Sequence, residues 1–181
     1  MRLDPYADRA DLAMNPSSSH VAITNGLTRR ACLGLALLWA SFRVAGAASI
    51  VFPSARLLRD ELALALKAGQ PLVVLVSLGG CPYCKLVREN YLSPLHREQG
   101  LPVVQVDMRS STILQDFMGQ TLTHDALVHR WNISSAPVVL FFGRDGAEVA
   151  PRLEGVSSPD YYGAFLDQRL EQAQAAVKLP P

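Results

Sequence analysis

Cysteine is scarce in this 181-residue chain: there are three, Cys32, Cys81 and Cys84. The last two are separated by only two residues, too close to staple distant parts of a fold, and so small a loop removes little entropy from the unfolded chain. An excess of either charge is missing as well. Seventeen Lys and Arg stand against 16 Asp and Glu, for a formal net charge of +1. Apart from Arg29-Arg30 the basic residues are scattered singly, which gives no bulk attraction for nucleic acid or anionic lipid. Long apolar runs are missing too. The run Ala31 to Phe42 spans about 18 Å as a helix, short of a hydrocarbon core of roughly 30 Å. There is no internal repeat. What is present is 49% hydrophobic and 18% charged residues, the balance of a globular domain with a core rather than a disordered chain.

The amino-terminal 47 residues differ from the rest. A polar, turn-rich leader precedes Arg29-Arg30, then the apolar run, then Arg43-Val44-Ala45-Gly46-Ala47, whose small residues at 45 and 47 fit an A-x-A cleavage site. This is the layout of an export signal, with cleavage near Ala47; an uncleaved membrane anchor is the minor alternative. Thr28 to Leu33 partly matches a twin-arginine signal, so the export route, general or twin-arginine, stays open. The division expected is a leader over 1–47 and one domain over 48–181. Subtracting the five Arg and three Asp of the leader leaves 12 basic and 13 acidic residues, or −1, and two cysteines.

Within the domain, Ser54 is placed to cap a helix to about Ala68, with Leu57, Leu58, Leu62 and Leu66 along one side. Leu72 to Val76 reads as a strand buried on both faces. A loop over 77–80 leads to Cys81, with Pro82 at the first helical position, where its missing N–H costs nothing. Pro94 is expected to bend or stop that helix. Val103 to Asp107 reads as a second strand, 109–121 as ambiguous, with a short helix and a turn around Gly119 as its reading, and Thr123 as the cap of a helix through Trp131. Val138 to Phe142 is a third strand, turned by Arg144-Asp145-Gly146 into Glu148–Leu153, and a last helix starts at Ser158-Pro159-Asp160. Strands alternating with helices imply an α/β fold with a central sheet and a terminal antiparallel hairpin.

A cysteine at a helix start is met by free N–H groups and the positive end of the helix dipole, which favour a thiolate on Cys81. Only the thiolate attacks a disulfide. Cys84, one turn on, shares that face and is placed to resolve a mixed disulfide. Half a zinc site is the competing reading, but tetrahedral zinc needs four ligands, and His96, His124 and His129 follow no ligand pattern. No metal or other cofactor is expected.

From about Ser54 to Gln172 the chain resembles the thioredoxins, and is similar to the periplasmic members that accompany sulfur oxidation and cytochrome maturation. The residues that carry this are Val73–Val76 before Cys81-Pro82-Tyr83-Cys84, then Val104–Asp107, Asp116 to Thr123, and Ser135-Ala136-Pro137-Val138-Val139. The resemblance implies a thioredoxin fold, a central mixed sheet of about four to five strands flanked by helices. It also implies a cis Pro137 facing the sulfurs, with the Ala136 backbone beside Cys81, where an extended substrate pairs in β fashion. Pro82 and Tyr83 complete the expected contact surface, with Tyr83 as a flat face toward substrates, a shield for the disulfide or a plain packing residue. The sequence departs from the family at three places. Gly80 stands where a Trp is common, Leu75 where a buried Asp is usual, and the Asp's partner Lys falls near the apolar Val103. The proton acceptor for Cys84 is thereby left open.

The function expected is exported thiol–disulfide exchange with protein partners, Cys81 attacking and Cys84 resolving, in the reducing direction and recharged by a membrane-bound electron donor. Oxidant or isomerase activity through the same sulfurs, and a non-enzymatic Cu(I)-binding module using both thiolates, are the alternatives. No nucleic-acid partner is expected, and substrate identity, potential and oligomeric state are not legible.

Overall fold

The computed structural model describes residues 51–178; the leader, Cys32 and the cleavage site near Ala47 lie outside them. In chain order the elements are α1 (Leu58–Lys67), β1 (Leu72–Ser77), α2 (Pro82–Leu86), a π-helical stretch (Val87–Leu92), α3 (Ser93–Gln99), β2 (Val103–Asp107), β3 (Ile113–Gln115), β4 (Thr121–Thr123), α4 (His124–Arg130), β5 (Val138–Phe142), β6 (Glu148–Glu154) and α5 (Pro159–Lys178).

The three apolar runs form three adjacent strands of a four-stranded sheet, in the order β2-β1-β5-β6. β1 runs parallel to β2 and antiparallel to β5, and β5 runs antiparallel to β6. The sheet is therefore mixed and has helices on both faces. Alternate residues of β1 divide between two cores. Val74 and Val76 face α1 and α4 through Leu58, Leu62, Leu127 and Val128. Val73 and Leu75 face Val87 and Leu92 on one side of the site helix and Leu166 and Leu170 of α5. Every residue of β1 and β5 is buried, as unbroken aliphatic runs require.

The sheet's flanks are treated differently. Along β2, Ala55 N–H donates to Gln105 O at 2.8 Å and Gln105 N–H donates to Pro53 O at 2.9 Å, so residues 53–55 lie on that strand as a short extra rung. β6 carries Pro151, a residue confined to sheet edges because it has no N–H to give.

Four expectations need correction. α1 starts at Leu58 rather than after Ser54, because the Glu61 carboxylate accepts from Arg56 N–H and Leu57 N–H and so caps that end, while Ser54 pairs with β2. Pro94 does not stop its helix. The backbone widens to π geometry over Val87–Leu92, Ser93 N–H reaches Arg88 O, and Pro94 falls in the first turn of α3; widening relieves the clash a proline ring makes with the preceding turn. Residues 113–123 form the β3–β4 hairpin in place of a short helix. Its turn is held by Asp116, whose Oδ1 accepts from Met118 and Gln120 N–H and whose Oδ2 accepts from Arg130 at 2.6 Å. Finally, the residue in register with Leu75 is Gln105, whereas Val103 pairs with Val73. Among the described residues, no helix is long and apolar enough to cross a membrane.

Candidate active site

β1 ends at Ser77 and delivers the chain into a four-residue approach to α2. Gly80 takes φ +74° there, in the left-handed region that glycine enters without penalty. Cys81 is the N-cap of α2, and Cys84 N–H donates to its sulfur at 3.1 Å. Pro82 occupies the first turn, as expected. The two sulfurs differ in access: Cys84 is 1% exposed, whereas Cys81 is partly exposed, and they are not joined by a disulfide. Burial pushes the Cys84 thiol up from 9.0 to about 11, helped by its hydrogen bond to Cys81 and that sulfur's charge. Hydrogen bonds from the Leu78 backbone and the Ser77 side chain pull the other way.

The Ala136–Pro137 bond is cis. Pro137 is buried at the start of β5, and Ala136 O lies 3.9 Å from Cys81 Sγ. Pro82 and Tyr83 are exposed on the same turn, Tyr83 at 55%. The chain thus brings Cys81, Cys84, Pro82, Tyr83, Ala136 and Pro137 to one end of the sheet, although residues 84 and 136 are far apart in sequence. Among the described residues there is no group of three or more His, Cys, Asp and Glu side chains able to hold a metal ion. His124 is fully buried and structural. Its Nδ1 accepts from Asp107 N–H, so Nε2 carries the proton and donates to Ala55 O.

Residues 58–170 match the family model described as a thioredoxin-like domain. The chain belongs to the thioredoxin-like family. Its class of chemistry is accordingly thiol–disulfide oxidoreduction, and proteins of this kind act on the thiols and disulfides of other proteins. Several solved structures are similar to it. The periplasmic thioredoxin SoxS from Paracoccus pantotrophus is 17% identical, over 57% of this chain and 99% of that one, with a TM-score of 0.41. Trxlp from Edwardsiella tarda is 25% identical, over 62% and 98%, with a TM-score of 0.41. A thioredoxin-fold protein from Helicobacter pylori is 15% identical, over 61% and 83%, with a TM-score of 0.40. No curated protein matches.

This thioredoxin-like domain also carries a polar group beneath the sulfurs that reading the sequence missed. Ser77, 1% exposed, accepts from Arg88 Nη2 at 2.9 Å. Arg88 Nε donates to Gln105 Oε1 at 3.0 Å, and Gln105 Nε2 donates to Asp107 Oδ1 at 2.6 Å. These residues and Cys81 line one cavity of about 470 Å³. Two signals pointed to it. Arg88 is four residues after Cys84, on the same helical face, and Ser77 is the one polar residue on the Leu75 side of β1.

Proposed function

We propose that the mature chain is an exported thiol–disulfide oxidoreductase that reduces disulfides in protein partners. Cys81 attacks a substrate disulfide, forming a mixed disulfide and releasing one substrate thiol. Cys84 then attacks Cys81, which closes the ring and frees the second substrate thiol. The observation that carries this reading is the unequal pair itself: one sulfur half-open at a helix start with an N–H directed at it, its neighbour buried one turn deeper. Nucleophile and resolving thiol need that division of access.

Ala136, with the cis bond after it, offers an extended backbone next to Cys81 on which a substrate strand aligns. Pro82 and Tyr83 supply an exposed apolar rim. The export signal supports a location outside the cytoplasm after cleavage near Ala47, where a membrane-bound donor must return the electrons.

The test is a protein-disulfide reduction assay on the wild type, Cys81→Ser and Cys84→Ser. Cys81→Ser is expected to abolish turnover, and Cys84→Ser to accumulate a covalent mixed disulfide with the substrate. A wild type that reduces nothing, together with a Cys84→Ser that captures nothing, refutes the reading. Equilibration of the pair against glutathione buffers then fixes direction. A potential near about −270 mV marks a reductant and one near about −120 mV an oxidant.

A further inference from the structure

The approach from β1 to α2 carries little side-chain bulk. Ser77 ends the strand, Gly79 and Gly80 follow Leu78, and these residues line the cavity of about 470 Å³ that opens on Cys81. That volume falls in the range of small-molecule sites, roughly 300–1,000 Å³. The same cavity is lined by charges of both signs, Lys85 and Arg88 against Glu89 and Asp107. Two against two leaves it formally neutral, which favours neither a polyanion nor a polycation. Arg88 and Asp107, both half-buried, do not pair with each other. The Gln105 amide stands between them, accepting from Arg88 Nε at 3.0 Å and donating to Asp107 Oδ1 at 2.6 Å, while Ser77 Oγ accepts from Arg88 Nη2 at 2.9 Å. These bonds use two of the three guanidinium nitrogens and one carboxylate oxygen, and leave Arg88 Nη1 and Asp107 Oδ2 over. A cation and an anion held apart by a neutral amide suit a ligand that carries both charges on neighbouring atoms, as an α-amino acid group does. Ala136 and Pro137 are not among the lining residues, so a ligand in the cavity meets Cys81 from another side than a docked client backbone.

We propose that this cavity binds a small α-amino-acid disulfide of the cystine type, which Cys81 reduces directly, with Arg88 holding the carboxylate and Asp107 the ammonium group. This rests on the exchange reaction proposed above and adds a small-molecule substrate to it. The Cys81 thiolate attacks the nearer sulfur of the ligand. The ligand's S–S bond breaks, and one amino-acid thiolate leaves and takes up a proton. Cys84 then loses its proton and attacks Cys81, which forms the Cys81–Cys84 disulfide and releases the second thiolate, protonated in turn. Counted from its dithiol form, the pair gives up two electrons and two protons, and the ligand becomes two thiols.

The experiment mixes the reduced full chain, in a Cys32→Ala background, with L-cystine at pH 7. Alkylation by iodoacetamide stops each sample, and intact mass counts the fraction whose cysteine pair has become a disulfide. Three comparison disulfides are run alongside: cystamine with ammonium groups alone, 3,3′-dithiodipropionate with carboxylates alone, and neutral 2-hydroxyethyl disulfide. Each rate is divided by that protein's rate with the neutral disulfide, so a change in the Cys81 thiol itself cancels. The wild type is expected to be oxidised by cystine. Arg88→Met should lower the relative rates for cystine and dithiodipropionate about tenfold, the loss expected from one hydrogen bond to a charged group, and spare cystamine. Arg88→Lys, which keeps the charge, should restore most of that loss. Asp107→Asn, which keeps the oxygen that Gln105 uses, should lower cystine and cystamine about tenfold and spare dithiodipropionate. Relative rates that stay level in Asp107→Asn overturn the proposal, as does an equal fall for all three charged disulfides in both variants. A wild type that reduces protein disulfides but is not oxidised by cystine also overturns it, and leaves the proposed function standing. The crossed pattern in a chain that reduces no protein disulfide sinks that function and keeps this site. A wild type that reacts with neither cystine nor a protein disulfide sinks both.

Discussion

The buried Cys84 thiol makes the stability of the reduced protein sensitive to alkali in a way that can be isolated. Its folded-state value is raised from 9.0 to about 11. Between those values the native protein keeps a proton that the unfolded chain has already given up, so native stability must fall as pH rises through this window. Two pH units at about 1.4 kcal/mol each come to about 3 kcal/mol. Cys84 is buried, but Cys81 supplies part of the shift through its hydrogen bond and its charge, so about 3 kcal/mol is an upper limit, set against the 5–15 kcal/mol typical of a domain. The assay is urea unfolding of the full chain, kept reduced, at intervals from pH 8 to pH 11.5, for wild type and Cys84→Ala. Tyr162, which burial also raises, loses stability at high pH in both proteins and so cancels. The wild type is expected to lose up to about 3 kcal/mol more than the variant across the window, with nearly all the divergence above pH 9. A difference that stays flat to within about 0.5 kcal/mol would show that the Cys84 proton is not held by the fold, and the argument from burial would be wrong.

Two substitutions away from the sulfurs test the packing. Asp116→Ala removes a 5%-exposed carboxylate that accepts from two turn amides and from Arg130; a loss of about 2–4 kcal/mol in urea unfolding is expected, with the β3–β4 amides exchanging faster. Gly146→Ala places a Cβ 2.5 Å from Phe117 Cγ at φ +67°, and Phe117 packs with its ring tilted against Phe142 of the core. The melting temperature should drop by several degrees, equivalent to about 1–3 kcal/mol, while the rate of protein-disulfide reduction stays at the wild-type value.

How much of this was legible beforehand follows from what each segment depends on. β1, β2 and β5 are apolar through most of their length, so their identity as buried strands needs no partner to explain it. The Thr123 cap was equally plain, a hydroxyl accepting from Ala126 N–H three residues on. The β3–β4 hairpin was hidden because only Leu114 of its two strands is buried and its turn depends on Arg130, which comes from a later helix. The start of α1 was misplaced for a similar reason, since its cap is a carboxylate inside the helix rather than a hydroxyl before it. At the site, Cys81 and Cys84 declare themselves by spacing. Ala136 and Pro137 came only through the family resemblance, because nothing local brings residue 136 to residue 81. Ser77, Arg88 and Gln105 went unread because each is unremarkable alone. A serine ending a strand, an arginine on a helix and a glutamine in a strand acquire meaning only when β1, β2 and the site helix meet.

The two flanks of the sheet bear on how such a molecule survives its own work. A protein that handles partly unfolded clients meets exposed polypeptide constantly, and an open strand edge would let those clients stack on it and seed fibrils. Here residues 53–55 already occupy one flank, and Pro151 interrupts the ladder on the other. On the proposed exchange reaction, client backbone is left with the contact at Ala136, and docking there ends when the sulfurs have finished.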